Sequence, residues 1–268
     1  MTGRSRRFPE GLLDGPSETR VKYFEGFTQR HVMLDQVFQA LCNIVLQPAR
    51  PQLACVVGPT GVGKTVLQSR LVEHVTRELL ADLEADPGRI AMTGIEVMSK
   101  HSGHAPWRRV YVDSLRALHD PFLPPPGPGQ LSPPAERRTE EMLLDAFEET
   151  LRQRRPIAFN FDEAQHLARA SGGRSLQDQF DVLKSHAERS RVLLILFGTR
   201  ELLAFRSEGE QVARRAVFLH FPRYRIYLLP GDVAGFGQVV LTFDRQFPCR
   251  YEPKLTMIGS AATAASAS

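Results

Sequence analysis

Apolar residues recur along this chain in two periods, and the two alternate. Leu34, Val37, Phe38, Leu41, Ile44 and Val45 stand three and four apart, which predicts an amphipathic helix over 34–45. Residues 53–57 form a short unbroken apolar run ending at a glycine, as a buried strand does. Leu67, Leu71, Val75 and Leu79 then mark one stripe on a helix face, until Asp86, Pro87 and Gly88 break the chain. Strand, glycine loop and helix therefore follow in that order.

The alternation continues downstream. A second strand is predicted over 90–98, and a helix over 107–118 with Pro106 at its start. Ser132 and Pro133 read as the N-cap and first position of a helix running through Met142, Leu143, Ala146, Phe147 and Leu151. A third strand, 156–161, leads straight into Asp162 and Glu163, and a helix over 176–188 precedes a strand over 191–197. Beyond these come a short helix (201–205), a strand (217–221), an apolar stretch (226–229) and a helix through Phe243. Strands separated by helices imply an α/β fold with a parallel sheet covered on both faces.

Three stretches fall outside the pattern. Residues 1–30 are rich in Arg, Gly and Pro without sustained periodicity and read as an arm lying on the core or disordered. Seven of the fourteen residues over 121–134 are Pro, which makes an extended insertion. The last eight residues are only Ala, Thr and Ser, so 251–268 is taken as a low-complexity tail and 31–250 as the core domain. At about 150 residues per domain, 268 residues suit one large domain or a core with an appendage.

Composition narrows the function classes. The net charge of +4 is too small to demand a polyanion partner. Of the 34 basic residues 29 are Arg, a choice that suits phosphate recognition and equally a coding bias. The longest purely apolar run, 192–197, is far short of the roughly 20 residues that span a bilayer, and the N-terminus lacks the apolar core of a secretion signal, so a cytoplasmic protein without membrane contact is expected. Cys42, Cys55 and Cys249 are odd in number without metal-ligand spacing, so they read as buried small hydrophobes. His101 and His104 have no third ligand partner and read as surface histidines.

The candidate chemistry lies at the ends of the predicted strands. Gly58, Pro59, Thr60, Gly61, Val62, Gly63, Lys64 and Thr65 satisfy the P-loop pattern, and they sit between a strand and a helix as that motif requires. Glycines let successive N–H groups converge on one anion, aided by the helix dipole. Lys64 then reaches the β and γ phosphates of ATP, and the Thr65 hydroxyl holds Mg²⁺. Asp162 and Glu163 end a buried strand, where two carboxylates are costly unless they serve a cation or a proton transfer. Asp162 suits the shell of Mg²⁺ and Glu163 suits the base that polarises a water, although an N-cap pair is the plainer alternative. Thr199, after the strand over 191–197, orients that water if its strand lies between the other two; otherwise it caps the next helix. Arg214 or Arg215 is either an arginine finger offered to a neighbouring subunit or half of a surface pair. The Arg pairs 108/109, 137/138 and 154/155 track a DNA backbone or simply line solvated helix faces.

The order of these segments carries a resemblance. The P-loop, Asp-Glu-Ala-Gln-His at 162–166, Gly-Thr-Arg-Glu-Leu at 198–202, Arg214-Arg215 and His-Phe-Pro-Arg-Tyr at 220–224 together resemble the AAA+ regulators of DNA transposition, of the TniB and TnsC type, over about residues 25–248. The resemblance implies an AAA+ P-loop NTPase fold in three layers with a parallel five-stranded core. It also implies an ATPase that assembles as an ATP-dependent homo-oligomer on double-stranded DNA and contacts a transposase and a target-selection protein of the TniQ type. Such proteins usually continue into a helical lid. This sequence turns to Ala and Ser soon after Pro248, so the lid is expected to be reduced or missing. Two other readings stand beside this one: an ATPase of secretion or envelope assembly, whose members also use an Asp-Glu-Ala-Gln run, and an ATP-binding scaffold without turnover.

Overall fold

The computed structural model describes residues 8–47, 51–98, 107–121, 123, 138–169, 176–208, 216–225 and 230–247. Two helices, α1 (Ser17–Glu25) and α2 (Val32–Leu46), precede β1 (Leu53–Val57). Next come α3 (Lys64–Glu78), α4 (Leu80–Ala85), β2 (Met92–Glu96), α5 (Trp107–Ala117), α6 (Glu140–Arg154) and β3 (Ala158–Asp162). Then follow α7 (Gln165–Arg169), α8 (Leu176–Ser190), β4 (Leu193–Gly198), a 3-10 segment (Arg200–Glu208), β5 (Ala216–His220) and α9 (Pro230–Gln246). The strands form one sheet in the order β2-β3-β4-β1-β5, parallel throughout. The strand that follows the acidic pair is thus seated between the P-loop strand and the acidic strand, the condition on which the role of Thr199 rests.

Both faces of the sheet are covered. Cys55, Phe161 and Leu196 point to one side, into a core with Trp107 and Tyr111 of α5, Phe147 of α6 and Phe180 of α8. By the two-residue period of strands, Ala54, Val56, Ile195 and Phe197 point to the other side, and all are fully buried. Leu67, Leu71 and Val75 of α3 are also fully buried and lie outside the first cluster. Burial of such a side chain is worth roughly 1.5–3 kcal/mol, so this stripe fixes α3 and with it the loop at its N-terminus. The predicted fourth member of the stripe, Leu79, is half-buried because α3 ends at Glu78.

Strand starts differ from the sequence pattern for a backbone reason. Arg155 and Arg191 adopt left-handed conformations (φ 48° and 58°), ending the helical path before β3 and β4, so these strands begin at Ala158 and Leu193. Helix α6 also begins later than Ser132. Its N-cap is Thr139, whose hydroxyl accepts a 3.2 Å hydrogen bond from the Met142 N–H, while Ser132 and Pro133 lie outside the described residues. Most of the Pro-rich insertion, His101, His104, Cys249, the stretch 226–229 and the tail 251–268 are likewise outside them.

Within the helical layer, His186 is 1% exposed and sits between two partners. Its Nδ1 is 2.9 Å from Glu148 Oε1 and its Nε2 is 3.1 Å from the Tyr111 hydroxyl. Burial pushes the imidazole pKa down, and the Glu148 hydrogen bond opposes that shift. A neutral ring fits both contacts, since Nδ1–H then donates to the carboxylate and Nε2 accepts from the phenol.

The chain divides into two compact units, with the boundary inside α2. Val37–Pro222 holds the sheet; the two ends of the chain, up to Gln36 and from Arg223, form the other. In this second unit the Phe8 N–H donates to the Arg245 carbonyl at 3.2 Å, and the ring of Phe24 meets Phe243 and Phe247 at 6.1 and 5.5 Å. Residues 1–30 therefore include a helix, α1, where the sequence shows no sustained period. None of its side chains is fully buried, so no apolar stripe was needed to form it. None of the described helices is long and apolar enough to cross a membrane.

Candidate functional site

The parallel register brings the C-terminal ends of the strands to one edge, with Val57, Glu96, Asp162, Gly198 and His220 at the tips. In such sheets this edge is where ligands bind. The P-loop leaves β1 there, and its three glycines serve different needs. Gly61 and Gly63 have positive φ, 82° and 98°, a backbone that other residues adopt at a cost. Gly58 has a steric reason instead, since a Cβ there would stand 2.5 Å from the Phe221 carbonyl oxygen.

Lys64 opens α3 and is nearly buried, with Nζ donating to the carbonyls of Gly58 and Pro59 at 3.1 Å each. An ammonium has three donors, so one remains for a phosphate oxygen. The N–H groups of the first turn of α3 have no partner within the helix and carry the positive end of its dipole. The loop therefore has the donors that a polyphosphate needs.

Asp162 is 97 residues from Thr65 in sequence, yet the Thr65 hydroxyl donates to Asp162 Oδ2 at 2.9 Å. The other carboxylate oxygen, Oδ1, accepts the Glu163 N–H at 2.9 Å. Among the described residues no group of three or more His, Cys, Asp or Glu is placed to hold a metal ion by itself. One hydroxyl and one carboxylate side by side fit magnesium in its usual setting, where waters and substrate phosphates complete the shell. The pair would hold the ion, which when bound neutralises charge on phosphate oxygens.

Glu163 takes a left-handed backbone (φ 51°) directly after β3, which turns the chain out of the sheet. Such a conformation in a non-glycine residue costs of order 1 kcal/mol and is often found at functional sites. Its carboxylate accepts a hydrogen bond from the Gln165 side-chain amide. Gln165, almost fully buried, also accepts the Thr199 N–H on its Oε1 at 3.2 Å. Thr199 Oγ1 is buried without a hydrogen-bond partner, an orphan that a water or phosphate oxygen would satisfy. Glu163 and Thr199 are thus bridged by Gln165, a residue to which the Asp-Glu-Ala-Gln-His run by itself assigns no role. Its signal was Gly198, the glycine that closes β4, where a Cβ would meet Gln165 Oε1 at 2.6 Å.

Other sequence candidates are engaged elsewhere or not described. Arg214, Arg215 and Arg137 lie outside the described residues. Arg108 donates to the Arg138 carbonyl, Arg109 pairs with Asp113, Arg155 pairs with Asp86, and Arg154 reaches the carbonyls of Gly88 and His119 at 3.2 and 2.6 Å. These arginines serve local structure. Cys42 and Cys55 are buried as expected, and burial pushes the Cys55 thiol up to about 12 and that of Cys42 up to about 11.

No curated protein matches the chain by sequence. Among solved structures it is similar to the ORC2 protein of Aeropyrum pernix, solved as ADPNP–ADP complexes, with 15% identity and a TM-score of 0.54 over 84% of this chain and 55% of that one. It is also similar to a Walker-type ATPase of Pyrococcus abyssi, with 16% identity and a TM-score of 0.50 over 94% of this chain and 66% of that one. The chain thus spans less than two thirds of either relative, and the likeness is one of fold. A family model described as AAA domain matches residues 49–205, from just before β1 to the 3-10 segment after β4, and with the P-loop, the acidic strand end and the β2-β3-β4-β1-β5 sheet it shows that the chain belongs to the AAA family of P-loop ATPases.

Proposed function

We propose that this protein is a magnesium-dependent ATPase of the cytoplasm that regulates DNA transposition, assembling on target DNA in its ATP-bound state and recruiting the transposase. The observation that carries the enzymatic part is the 2.9 Å hydrogen bond between Thr65 and Asp162, which unites the phosphate loop and the acidic strand end. The A. pernix relative solved with ADPNP and ADP supports an adenine nucleotide as ligand. The transposition part rests on the order of motifs from the P-loop to residues 220–224 and their resemblance to TniB- and TnsC-type regulators.

In this reading the loop N–H groups and Lys64 bind the triphosphate, and Thr65 with Asp162 holds magnesium. Glu163 takes a proton from the attacking water, and Thr199 orients that water with its free hydroxyl. Arg214 or Arg215 reaches a neighbouring subunit's nucleotide. Partners are double-stranded DNA, a transposase, a TniQ-type target-selection protein and further copies of the chain.

Lys64→Ala removes the phosphate-facing charge and is expected to abolish ATP binding. Glu163→Gln should retain binding and lose turnover. A non-hydrolysable ATP analogue should strengthen binding to long duplex DNA, with an affinity that falls steeply with salt, and electron microscopy should show ordered assemblies. Protein that binds nucleotide but ignores DNA at low salt refutes the transposition reading. Unchanged ATP affinity in Lys64→Ala refutes the site.

A further inference from the structure

The paired part of β3 and β4 ends at Phe161 and Leu196, yet the two chains remain tied beyond it. The Ala164 N–H donates to the Phe197 carbonyl at 2.9 Å, and one step further the Gln165 side chain takes the place of a strand, accepting the Thr199 N–H at 3.2 Å. The same amide group gives its Nε2–H to Glu163 Oε2. One planar group thus has its acceptor on the end of β4 and its donor on the acid after β3. Gln165 is 4% exposed, so it has no water alternative of comparable access. The glycine at 198 is what leaves room for its oxygen, since an added Cβ would lie 2.6 Å from it.

We propose that Gln165 is the positioning residue for hydrolysis, fixing the Glu163 carboxylate relative to Thr199 so that the base and the water-orienting residue act on one water. This rests on the reading of Glu163 as the base. Glu163 needs such a tie because it stands just past the end of β3 on a left-handed backbone, where no ladder partner restrains it. Catalysis depends on holding such groups to within a fraction of an ångström, and a donor and acceptor set on one rigid amide does so for both partners at once. A residue of this kind leaves substrate affinity alone, because the P-loop, Lys64 and Thr65 make no hydrogen bond to it.

The test uses the full-length protein and steady-state ATP turnover beside nucleotide binding and thermal unfolding. Gln165→Ala is expected to lower kcat at least tenfold, with the affinity for ATP within twofold of wild type and Tm within a few degrees. Gly198→Ala should lower kcat in the same direction by displacing the Gln165 oxygen; because its Cβ would also stand 2.8 Å from Leu202 Cδ1, it should still act in the Gln165→Ala background, but by less than in wild type. Gln165→Asn keeps the amide but is one methylene too short to span both partners, so it should fail to restore turnover. If Gln165→Ala does not fold, the Asn and Gly198 variants carry the same comparison. Wild-type kcat in Gln165→Ala, or a fall in kcat matched by equal loss of ATP affinity or of Tm, overturns the proposal. Its failure is separable from that of the parent reading: turnover surviving in Glu163→Gln removes the base itself, whereas loss in Glu163→Gln with full activity in Gln165→Ala removes only the tie.

Discussion

Replacing Gly58 by alanine separates two reasons for glycine in the phosphate loop. The new methyl would stand 2.5 Å from the Phe221 carbonyl oxygen, 3.1 Å from Phe221 Cβ and 3.2 Å from Val62 Cγ2. Carbon does not approach backbone oxygen that closely, so the gap must open by about half an ångström. The obstacle cannot swing aside like the end of a side chain. Phe221 is held by its N–H to the Val57 carbonyl at 2.8 Å, and Gly58 by its own N–H to the Gly198 carbonyl at 3.0 Å. Relief therefore means weakening one of these bonds or lifting the loop from β5 and β4. Overpacking of this kind costs about 1–3 kcal/mol. For a protein of this size each kcal/mol is about 2–4 °C in Tm, which gives a fall of about 2–12 °C. Since the loop N–H groups move with Gly58, ATP affinity should drop about tenfold, equivalent to roughly 1.4 kcal/mol.

Gly61 offers the contrast, because no atom lies within 4 Å of its missing Cβ, but its φ is 82°. Its alanine variant suffers only from the left-handed backbone, about 1–2 kcal/mol, and asparagine, which tolerates positive φ better, should recover much of that. Thermal unfolding and nucleotide titration of Gly58→Ala, Gly58→Asn, Gly61→Ala and Gly61→Asn decide the matter. Asparagine should help at 61 and do nothing at 58. Wild-type Tm and affinity in Gly58→Ala, or rescue by asparagine at 58, would refute the steric argument.

Three further outcomes concern a buried histidine, a helix cap and a buried thiol. The lowered pKa of buried His186 means that the unfolded chain binds more protons below about pH 6.5, so the stability this group contributes is whole above that pH and lost as pH falls toward the folded pKa; His186→Gln should flatten Tm between pH 7.5 and 5, and an unchanged slope would show that the imidazole does not matter. Thr139→Ala removes the cap of α6 and should cost about 1 kcal/mol in denaturant unfolding, while Thr139→Ser should restore it; equal stability of all three forms contradicts the cap. Cys55, fully buried with its thiol pushed up to about 12, should resist alkylation at pH 8 until the protein unfolds, and rapid native-state labelling at that position, read by mass spectrometry, would contradict its burial.

How much of this site was legible depends on what each residue costs when it is not used. The phosphate loop occupies eight consecutive positions, so its geometry is local and the pattern alone specifies it. Asp162 lies far from Thr65 along the chain but was still readable, because a carboxylate closing a buried apolar strand is expensive without a partner, and the parallel sheet then dictates which edge it faces. The helix α1 was not readable, since it forms without fully burying any side chain and leaves no stripe in the pattern. The basic pairs are open to two readings in the sequence, and their partners were not legible there: Arg155 pairs with Asp86 and Arg154 with the carbonyls of Gly88 and His119, contacts between segments that only the fold brings together. Gln165 shows where the limit lies. An amide finds hydrogen bonds almost anywhere, so its presence in a sequence signals no obligation. Only once the register sets Phe161 beside Leu196, carrying Gly198 to the acidic turn, does one side chain emerge between Glu163 and Thr199. The glycine at 198 was the visible half of that arrangement, and at the end of a strand it is indistinguishable from an ordinary turn until the residue filling its missing side chain is known.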